Sequence, residues 1–203
     1  METAWSATND YQTQVEVRTY KRDDSFESDR FTYTFKKPKS IRLDFESPHP
    51  GMVLVYPDRN GKAVIEPAGL ARFLKLHLVP DNPLLRVSSG QSIDKTDLGL
   101  LIENISRSIT DQRKGPVEVT NQDGTVKIRV LALNHFREGI VTLYEFFIDE
   151  ALSLPVKVSE STPDGQLERM VTFSNLSINI GVRDTLFRLN GENGSGVRPK
   201  NGK

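Results

Sequence analysis

Histidines are the side chains in this sequence best suited to acid–base or metal chemistry, and there are three of them. His49 lies between two prolines, His77 lies on the polar side of a predicted strand, and His135 lies near a predicted turn. No two of them have the spacing of metal ligands, and no H-E-x-x-H motif occurs. We therefore expect each histidine to be structural or exposed, and we predict no metal site.

Carboxylates form two adjacent pairs, Asp23-Asp24 and Asp149-Glu150, and both lie in predicted turns, where acidic residues are common. General acid–base catalysis needs one carboxyl group in an apolar pocket near another that stays ionised. Adjacency in a turn does not provide that arrangement. The Gly-x-Ser-x-Gly motif of a nucleophile elbow does not occur, and the glycine-rich stretch 191–196 lacks the Lys-Ser/Thr ending of a phosphate-binding loop. The sequence predicts no catalytic residue and no cofactor.

Composition narrows the function classes further. The 27 basic and 27 acidic residues balance, whereas a nucleic-acid binder needs a basic excess, so we predict no nucleic-acid partner. Cysteine does not occur, which removes disulfides and thiol catalysis. No apolar run approaches the ~18 residues that cross a bilayer, so no transmembrane segment is predicted. No signal peptide opens the chain, but we interpret residues 1–5 as a start from which a leader has been removed.

Alternation of apolar and polar residues predicts β-strands along most of the chain. The runs 31–35 and 41–45 predict a hairpin with one packed face and one wet face. Asn60-Gly61 predicts another, because both residues tolerate the positive φ of a tight turn. The segment 74–78 also alternates like a strand, and a helix through residues 70–74 is the competing prediction there.

One helix is predicted clearly, over about residues 95–110. Asp94 is the predicted cap, Asp97 favours the positive end of the helix dipole, and Gly115-Pro116 is expected to end the helix. Its apolar stripe consists of Leu98, Leu101, Ile102, Ile105 and Ile109. A helix with one apolar face needs a sheet face to cover.

The fold prediction follows from nine or ten short strands at ~8–12-residue spacing, interrupted by one solid helix. We predict an α+β fold in which a large curved antiparallel β-sheet, a half-barrel, is covered by one or more helices. Residues 1–189 are predicted to form a single domain, and residues 190–203 to form a disordered tail.

A strongly curved sheet leaves a concave face whose side chains either pack as plain core or line a cavity for an apolar guest. Alternation alone favours plain core. If a cavity is present, the residues predicted to line it are Phe31, Tyr33, Phe35, Ile41, Leu43, Phe45, Val53, Val55, Leu76, Phe146, Ile148, Phe173 and Ile178.

Three segments together resemble the LolA/LolB-type superfamily of bacterial periplasmic lipoprotein carriers. The first, 31–43, runs from an aromatic strand through a basic-proline corner into an Arg-containing strand. The second, 53–61, is an apolar run that ends in Asn-Gly. The third and most specific comprises Leu-Pro-Val at 154–156, Phe-x-Asn-Leu-x-Ile-Asn at 173–179, and Leu186-Phe187.

The resemblance covers about residues 11–189. It implies a half-barrel covered by helices and a hydrophobic cavity that takes the acyl chains of lipids or lipoproteins, with no cofactor. It also places a basic residue tied to lid opening near Lys37, so Lys37 and Arg42 are the candidates for the cavity mouth. The chain departs from the carriers in lacking most of their long N-terminal helix and in its segment 68–110, so another apolar ligand is an equal alternative.

Three functions are therefore compared. The first is a periplasmic binding or carrier protein for lipid or lipoprotein acyl chains. The second is a structural or interaction module of the cell envelope, with a packed core and with envelope proteins as partners. The third, ranked last, is an enzyme that encloses an apolar substrate and uses polar groups such as Arg42 or Tyr144. A cavity of ~300 Å³ or more favours the first over the second.

Overall fold

The computed structural model describes residues 1–23, 25–85 and 92–189, with every side chain in these ranges except those of Arg72 and Leu84. Two sequence-based expectations lie outside the described residues. These are the disordered tail 190–203, which contains the glycine-rich stretch 191–196, and the Asp24 member of the first carboxylate pair.

Eleven antiparallel strands of the described chain form one open sheet. The predicted α+β fold with a large, curved, half-barrel sheet is confirmed, with one strand more than the upper end of the predicted number. The strands are β1 (Asp10–Tyr20), β2 (Phe26–Lys36), β3 (Ser40–Ser47), β4 (Val53–Tyr56), β5 (Ala63–Glu66), β6 (Leu76–Leu78), β7 (Arg113–Gln122), β8 (Thr125–Leu133), β9 (Val141–Asp149), β10 (Leu154–Ser161) and β11 (Leu167–Ile178).

The path of the chain through the sheet explains why a helix crosses it. The spatial order of the strands is β6-β5-β4-β3-β2-β1-β11-β10-β9-β8-β7. The chain therefore starts in the centre, reaches one edge at β6, crosses to the opposite edge at β7 and returns to the centre. Helix α2 (Leu98–Ile109) lies in that crossing and is about 18 Å long. A shorter helix, α1 (Glu2–Ala7), precedes β1.

Local chemistry sets the ends of α2, and two details differ from the sequence-based prediction. Asp97, and not Asp94, is the cap, because its side chain accepts a hydrogen bond from the backbone N–H of Leu100 at 3.0 Å. The helix ends at Ile109, well before Gly115-Pro116. That pair instead lies inside β7, where the register shifts. An edge strand tolerates a proline, because a missing N–H there need not break a ladder bond.

The segment after β5 contains elements of both competing predictions. Residues Gly69–Phe73 form a short 3-10 helix, and Leu76–Leu78 form the edge strand β6. The side chains of Leu70, Phe73 and Leu74 project into solvent, with exposed fractions of 97%, 85% and 68%. This segment is the most exposed apolar stretch of the described chain.

Two apolar clusters form the core on the inner face of the sheet, which is the face that α2 covers. The first cluster is built mainly from β1 to β5 and the start of α2, and includes Phe35, Leu43 and Leu98. The second is built from β8, β9 and β10 around Ile105 of α2. Leu101, in the middle of α2, packs against both clusters. The helix therefore joins two halves of a core that the sheet alone would leave separate.

Candidate functional site: an apolar slot beneath helix α2

A slot lies on the inner face where the two core clusters meet. Its cavity volume is about 80 Å³. The apolar floor consists of Val15, Val17, Phe31, Tyr33, Leu43, Phe146, Val158, Val171 and Phe173. The roof consists of Lys95, Thr96, Asp97, Leu100, Leu101 and Asn104. The polar end consists of His135, Tyr144, Glu160 and Arg169, with Phe136 beside them.

Two tyrosines of the sheet hold the N-terminal end of α2 over the slot. The hydroxyl of Tyr11 accepts a hydrogen bond from the backbone N–H of Leu98 at 3.2 Å. The hydroxyl of Tyr33 lies 3.1 Å from Oγ1 of Thr96, just before the helix. Burial raises the pKa of both tyrosines well above its ordinary value, so both hydroxyls stay protonated. The helix start is thus fixed by neutral hydrogen bonds, which water can replace if the helix moves.

His135 holds the other end of α2. Its Nε2 lies 2.8 Å from Oγ of Ser108, near the end of the helix. Burial, with a smaller contribution from the positive charge of Arg107, lowers the pKa of His135 to about 4. The imidazole is therefore neutral at pH 7. Its Nδ1 is buried and has no hydrogen-bond partner among the residues that the structure describes.

A buried ion pair forms the polar end of the slot. Glu160 on β10 is the direct cross-strand partner of Arg169 on β11 and of Tyr144 on β9. Nη1 of Arg169 lies 3.4 Å from Oε1 of Glu160, and the two side chains are only 12% and 9% exposed. The Tyr144 hydroxyl accepts a hydrogen bond from the backbone N–H of His135 at 3.2 Å. Burial, and then the Glu160 charge, raises the pKa of Tyr144 above its ordinary value, so its hydroxyl is neutral.

The residues that the sequence analysis proposed for a cavity divide into three groups. Five of them lie in the slot: Phe31, Tyr33, Leu43, Phe146 and Phe173. Five others belong to the packed clusters of the inner face and do not line the slot: Phe35, Ile41, Phe45, Ile148 and Ile178. Phe35, for example, stacks on Tyr11 at a ring distance of 5.2 Å and contacts Trp5 of α1. Four of the six aromatic candidates therefore line the slot, and the other two, Phe35 and Phe45, are core.

The remaining three candidates lie away from the slot. Val53 and Val55 are on the outer face of β4, because Val55 pairs with Arg42 while Leu54 pairs with the inner-face Leu43. Val55 is buried there under the C-terminal Leu189. Leu76 lies on the edge strand β6 and is 45% exposed.

The two cavity-mouth candidates have contacts elsewhere. Nζ of Lys37 donates to the carbonyl oxygens of Trp5 and Ser6 at 2.7 Å and 3.1 Å, and so caps the end of α1. Arg42 lies on the outer face, where it forms a two-pronged ion pair with Asp44 at 2.7 Å and 2.6 Å. It also donates to the carbonyl of Leu186 at 3.0 Å. Lys37 therefore holds α1 against the sheet, Arg42 holds the segment that contains Leu186, and neither side chain lines the slot.

Of the four residues at the polar end of the slot, the sequence singled out Tyr144 as a polar group and His135 as structural or exposed, and it missed Glu160 and Arg169. Glu160 stands two residues after the inner-face Val158, so its position in the alternation points it at the core. Arg169 precedes Val171 in the same way. Both residues could have been found from the sequence, because each is a charged residue at a position where the alternation of the strand predicts an apolar one.

Two features are absent from the described part of the chain. No helix in it is long and apolar enough to span a membrane. No cluster of three or more His, Cys, Asp or Glu side chains in it is arranged to hold a metal ion.

Comparison with known proteins shows similarity at the level of the fold. No protein-family model matches the chain, and no curated protein matches it significantly. An uncharacterised conserved protein from Thermus thermophilus matches with a TM-score of 0.55 and 9% identity, and 94% of each chain is covered. MucB matches with a TM-score of 0.50 and 15% identity over 91% of this chain, which spans 58% of MucB.

A LolA-superfamily protein from Nitrosomonas europaea also matches, at 10% identity and a TM-score of 0.43, over 90% of this chain and 91% of that protein. Identities of 9–15% carry information on architecture and not on ligands. The match to a LolA-superfamily protein is a similarity of the kind that the sequence resemblance predicts. The shared architecture itself is shown by the Thermus thermophilus protein.

Proposed function

We propose that this chain is a periplasmic binding protein that holds an acyl chain, from a lipid or a lipoprotein, in the slot beneath α2. The observation that carries the proposal is the slot itself. An unfilled, mainly apolar space separates two well-packed clusters, and a single helix covers it. Apolar pockets with a few placed polar groups are the usual form of a small-molecule site.

The volume of the slot determines what binding requires. About 80 Å³ is far below the ~300 Å³ of a typical ligand pocket, so the volume by itself meets the expectation for the interaction module and not the one for the binding protein. It is close to the space of two or three water molecules at ~30 Å³ each. An acyl chain therefore fits only if α2 moves away from the floor. Such a movement separates Leu101 from the two clusters. It also breaks the hydrogen bond that the Leu98 N–H donates to Tyr11 and the one between Tyr33 and Thr96. We propose α2 as the lid of the site.

The periplasmic location and the single-domain organisation of residues 1–189 are parts of the same proposal. They are supported by the sequence resemblance of the three segments described above, of which the closing pattern 154–187 is the most specific. The third hypothesis, an enzyme, loses one of its two suggested polar groups, because Arg42 lies on the outer face.

Native mass spectrometry tests the proposal most directly. The full chain is produced with an export leader, purified without detergent and measured before and after lipid extraction. We expect a mass increase that corresponds to an acyl-chain lipid and disappears on extraction. A clean unliganded mass, under conditions that retain lipid on a known lipid-binding protein, would contradict acyl-chain carriage.

A pair of matched variants locates the ligand. Val158→Phe places a larger side chain on the slot floor, whereas Val119→Phe makes the same change on β7 at a side chain that is 59% exposed. We expect the first variant to lose the bound lipid, at a cost in stability of about 1–3 kcal/mol from overpacking, and the second to retain it. Retention by both would place the ligand elsewhere.

A second candidate function, an envelope interaction module, rests on a different observation. The segment Gly69–Phe73 and the following Leu74 and Leu76 expose four large apolar side chains beside the edge strand β6. Exposed apolar clusters of this kind mark interaction surfaces. Replacing Leu70 and Phe73 by Ser is expected to leave lipid binding unchanged. If these changes abolish co-purification of a specific envelope protein while no lipid is found, the interaction module is the better account.

A further inference from the structure

The polar end of the slot has chemistry that an acyl chain does not use. Glu160 and Arg169 face each other across β10 and β11, with contacts of 3.4 Å and 3.5 Å from Nη1 to the two carboxylate oxygens. Both contacts are longer than the ~2.7–2.9 Å of a strong charge-assisted hydrogen bond. A carboxylate has about four acceptor positions, so Glu160 retains capacity to accept a hydrogen bond from a group in the slot.

Tyr144 supplies the complementary donor. Its hydroxyl accepts a bond from the backbone N–H of His135, and no acceptor among the described residues receives its proton. The hydroxyl stays protonated at neutral pH, because burial and Glu160 both raise its pKa. One donor and one acceptor thus stand side by side on adjacent strands, at cross-strand partner positions.

The charges along the slot cancel. Its lining contains two cationic residues, Lys95 and Arg169, and two anionic residues, Asp97 and Glu160. His135 adds no charge at neutral pH. An ionised ligand group in this space would meet no surplus of opposite charge, and a buried charge without a counter-charge is costly.

We propose that the slot selects amphiphiles whose polar group is uncharged, such as an ester, an amide or an alcohol. The ligand's carbonyl oxygen accepts from Tyr144, and its hydroxyl or N–H group donates to Glu160. This inference rests on the proposed function, since it assigns the polar group of the same ligand. A free fatty acid is disfavoured, because its carboxylate would compete with Glu160 for Arg169 and would lie beside a second buried carboxylate.

The test compares two probes of equal chain length, monodecanoylglycerol and decanoate, by titration calorimetry at pH 7.5 and below their aggregation concentrations. We expect monodecanoylglycerol to bind about tenfold or more tightly, the size of effect produced by one good hydrogen bond to a charged group. Equal affinities, or tighter binding of decanoate, would overturn the selectivity and leave the proposed function in place. Binding of neither probe would overturn the proposed function itself.

Three variants assign the effect to the polar end. Glu160→Gln is expected to raise the affinity for decanoate about tenfold, because it removes the buried negative charge that repels the carboxylate of the ligand. Tyr144→Phe is expected to lower the affinity for monodecanoylglycerol about tenfold. Glu145→Gln is the matched control for Glu160→Gln, since Glu145 pairs with Lys127 at 3.3 Å on the outer face of the neighbouring strand β9. Unchanged selectivity in both Glu160→Gln and Tyr144→Phe would contradict the assignment of the selectivity to these two side chains. If a variant fails to fold, the comparison of the two probes on the wild-type protein still tests the selectivity.

Discussion

Gly99, the second residue of α2, gives the sharpest prediction about how the lid is held. A Cβ atom placed on Gly99 would lie 2.5 Å from both Cε2 and Nε1 of Trp5, far inside van der Waals contact. Trp5 lies on α1, and the centre of its ring is 5.5 Å from the ring of Phe35 and 6.2 Å from the ring of Tyr11. Nζ of Lys37 lies 4.8 Å from the centre of the Trp5 ring. Gly99→Ala should therefore push Trp5, and α1 with it, away from α2.

The magnitude follows from two opposing effects. Each aromatic pair stabilises by about 0.5–1.5 kcal/mol and the cation–π contact by about 0.5–1 kcal/mol, so displacement of Trp5 loses roughly 1.5–4 kcal/mol. Replacing glycine by alanine in a helix returns at most about 1 kcal/mol. We expect Gly99→Ala to lower the free energy of unfolding by about 1–3 kcal/mol.

Trp5 is the single tryptophan of the chain, so its fluorescence reports the displacement directly. Gly99→Ala should shift the emission maximum to longer wavelength and lower the urea midpoint. In a Trp5→Ala background the same substitution should become stabilising by up to ~1 kcal/mol, because only the helix propensity remains. A Gly99→Ala protein with unchanged emission and increased stability would refute the proposed packing of α1 on α2.

Three other predictions concern the capping, the pH dependence and the outer face. Asp97→Ala should lower the free energy of unfolding by about 1 kcal/mol in urea denaturation, whereas Asp97→Asn, which keeps a capping oxygen, should change it by only a few tenths. The pKa of His135 is about 4 in the folded chain and ~6.5 when unfolded, so the unfolded chain binds the proton more readily between these values. The free energy of unfolding is therefore not reduced by His135 above pH 6.5, and it decreases as the pH falls from 6.5 towards 4. His135→Gln should reduce that decrease by on the order of 1–3 kcal/mol. An unchanged dependence of stability on pH would contradict the assignment. Arg42→Lys, which cannot form the two-pronged pair with Asp44 and also bond Leu186, should speed amide hydrogen exchange in residues 182–189 and leave exchange in β9 unchanged.

Much of the fold could be predicted from the sequence because period-2 alternation and one amphipathic helix are strong local signals. The runs 31–35 and 41–45 have unambiguous faces, since charged or hydroxyl side chains occupy every second position. In β4 both faces are apolar: Val53 and Val55 pack outside while Leu54 packs inside. A continuous apolar run carries no information on which face is which, so those assignments depended on pairing that only the structure supplies.

The polar end of the slot was harder to predict for a different reason. Glu160, Arg169 and His135 are far apart in the sequence or lie on separate strands, and they meet only because β9, β10 and β11 are adjacent. For the cavity-mouth candidates Lys37 and Arg42, a basic residue near a corner proline suggested a role in opening the cavity. In the structure the Lys37 side chain donates to a backbone carbonyl of α1, and the Arg42 side chain donates to the carbonyl of Leu186.

The strand order has a consequence for how the chain assembles. The pairing of β1 with β11 joins residues as far apart as Tyr11 and Ile178, while every other pairing in the described sheet joins consecutive strands. During synthesis one side of β1 therefore waits, unpaired, until β11 has been made. The two segments already meet in space, since the N–H of Asn179 donates to the carbonyl of Asp10 at 2.8 Å. A circular permutant that links these segments and opens the chain between β6 and α2 would turn the most distant pairing into a hairpin. Its lower contact order should make it fold faster than the natural order of elements.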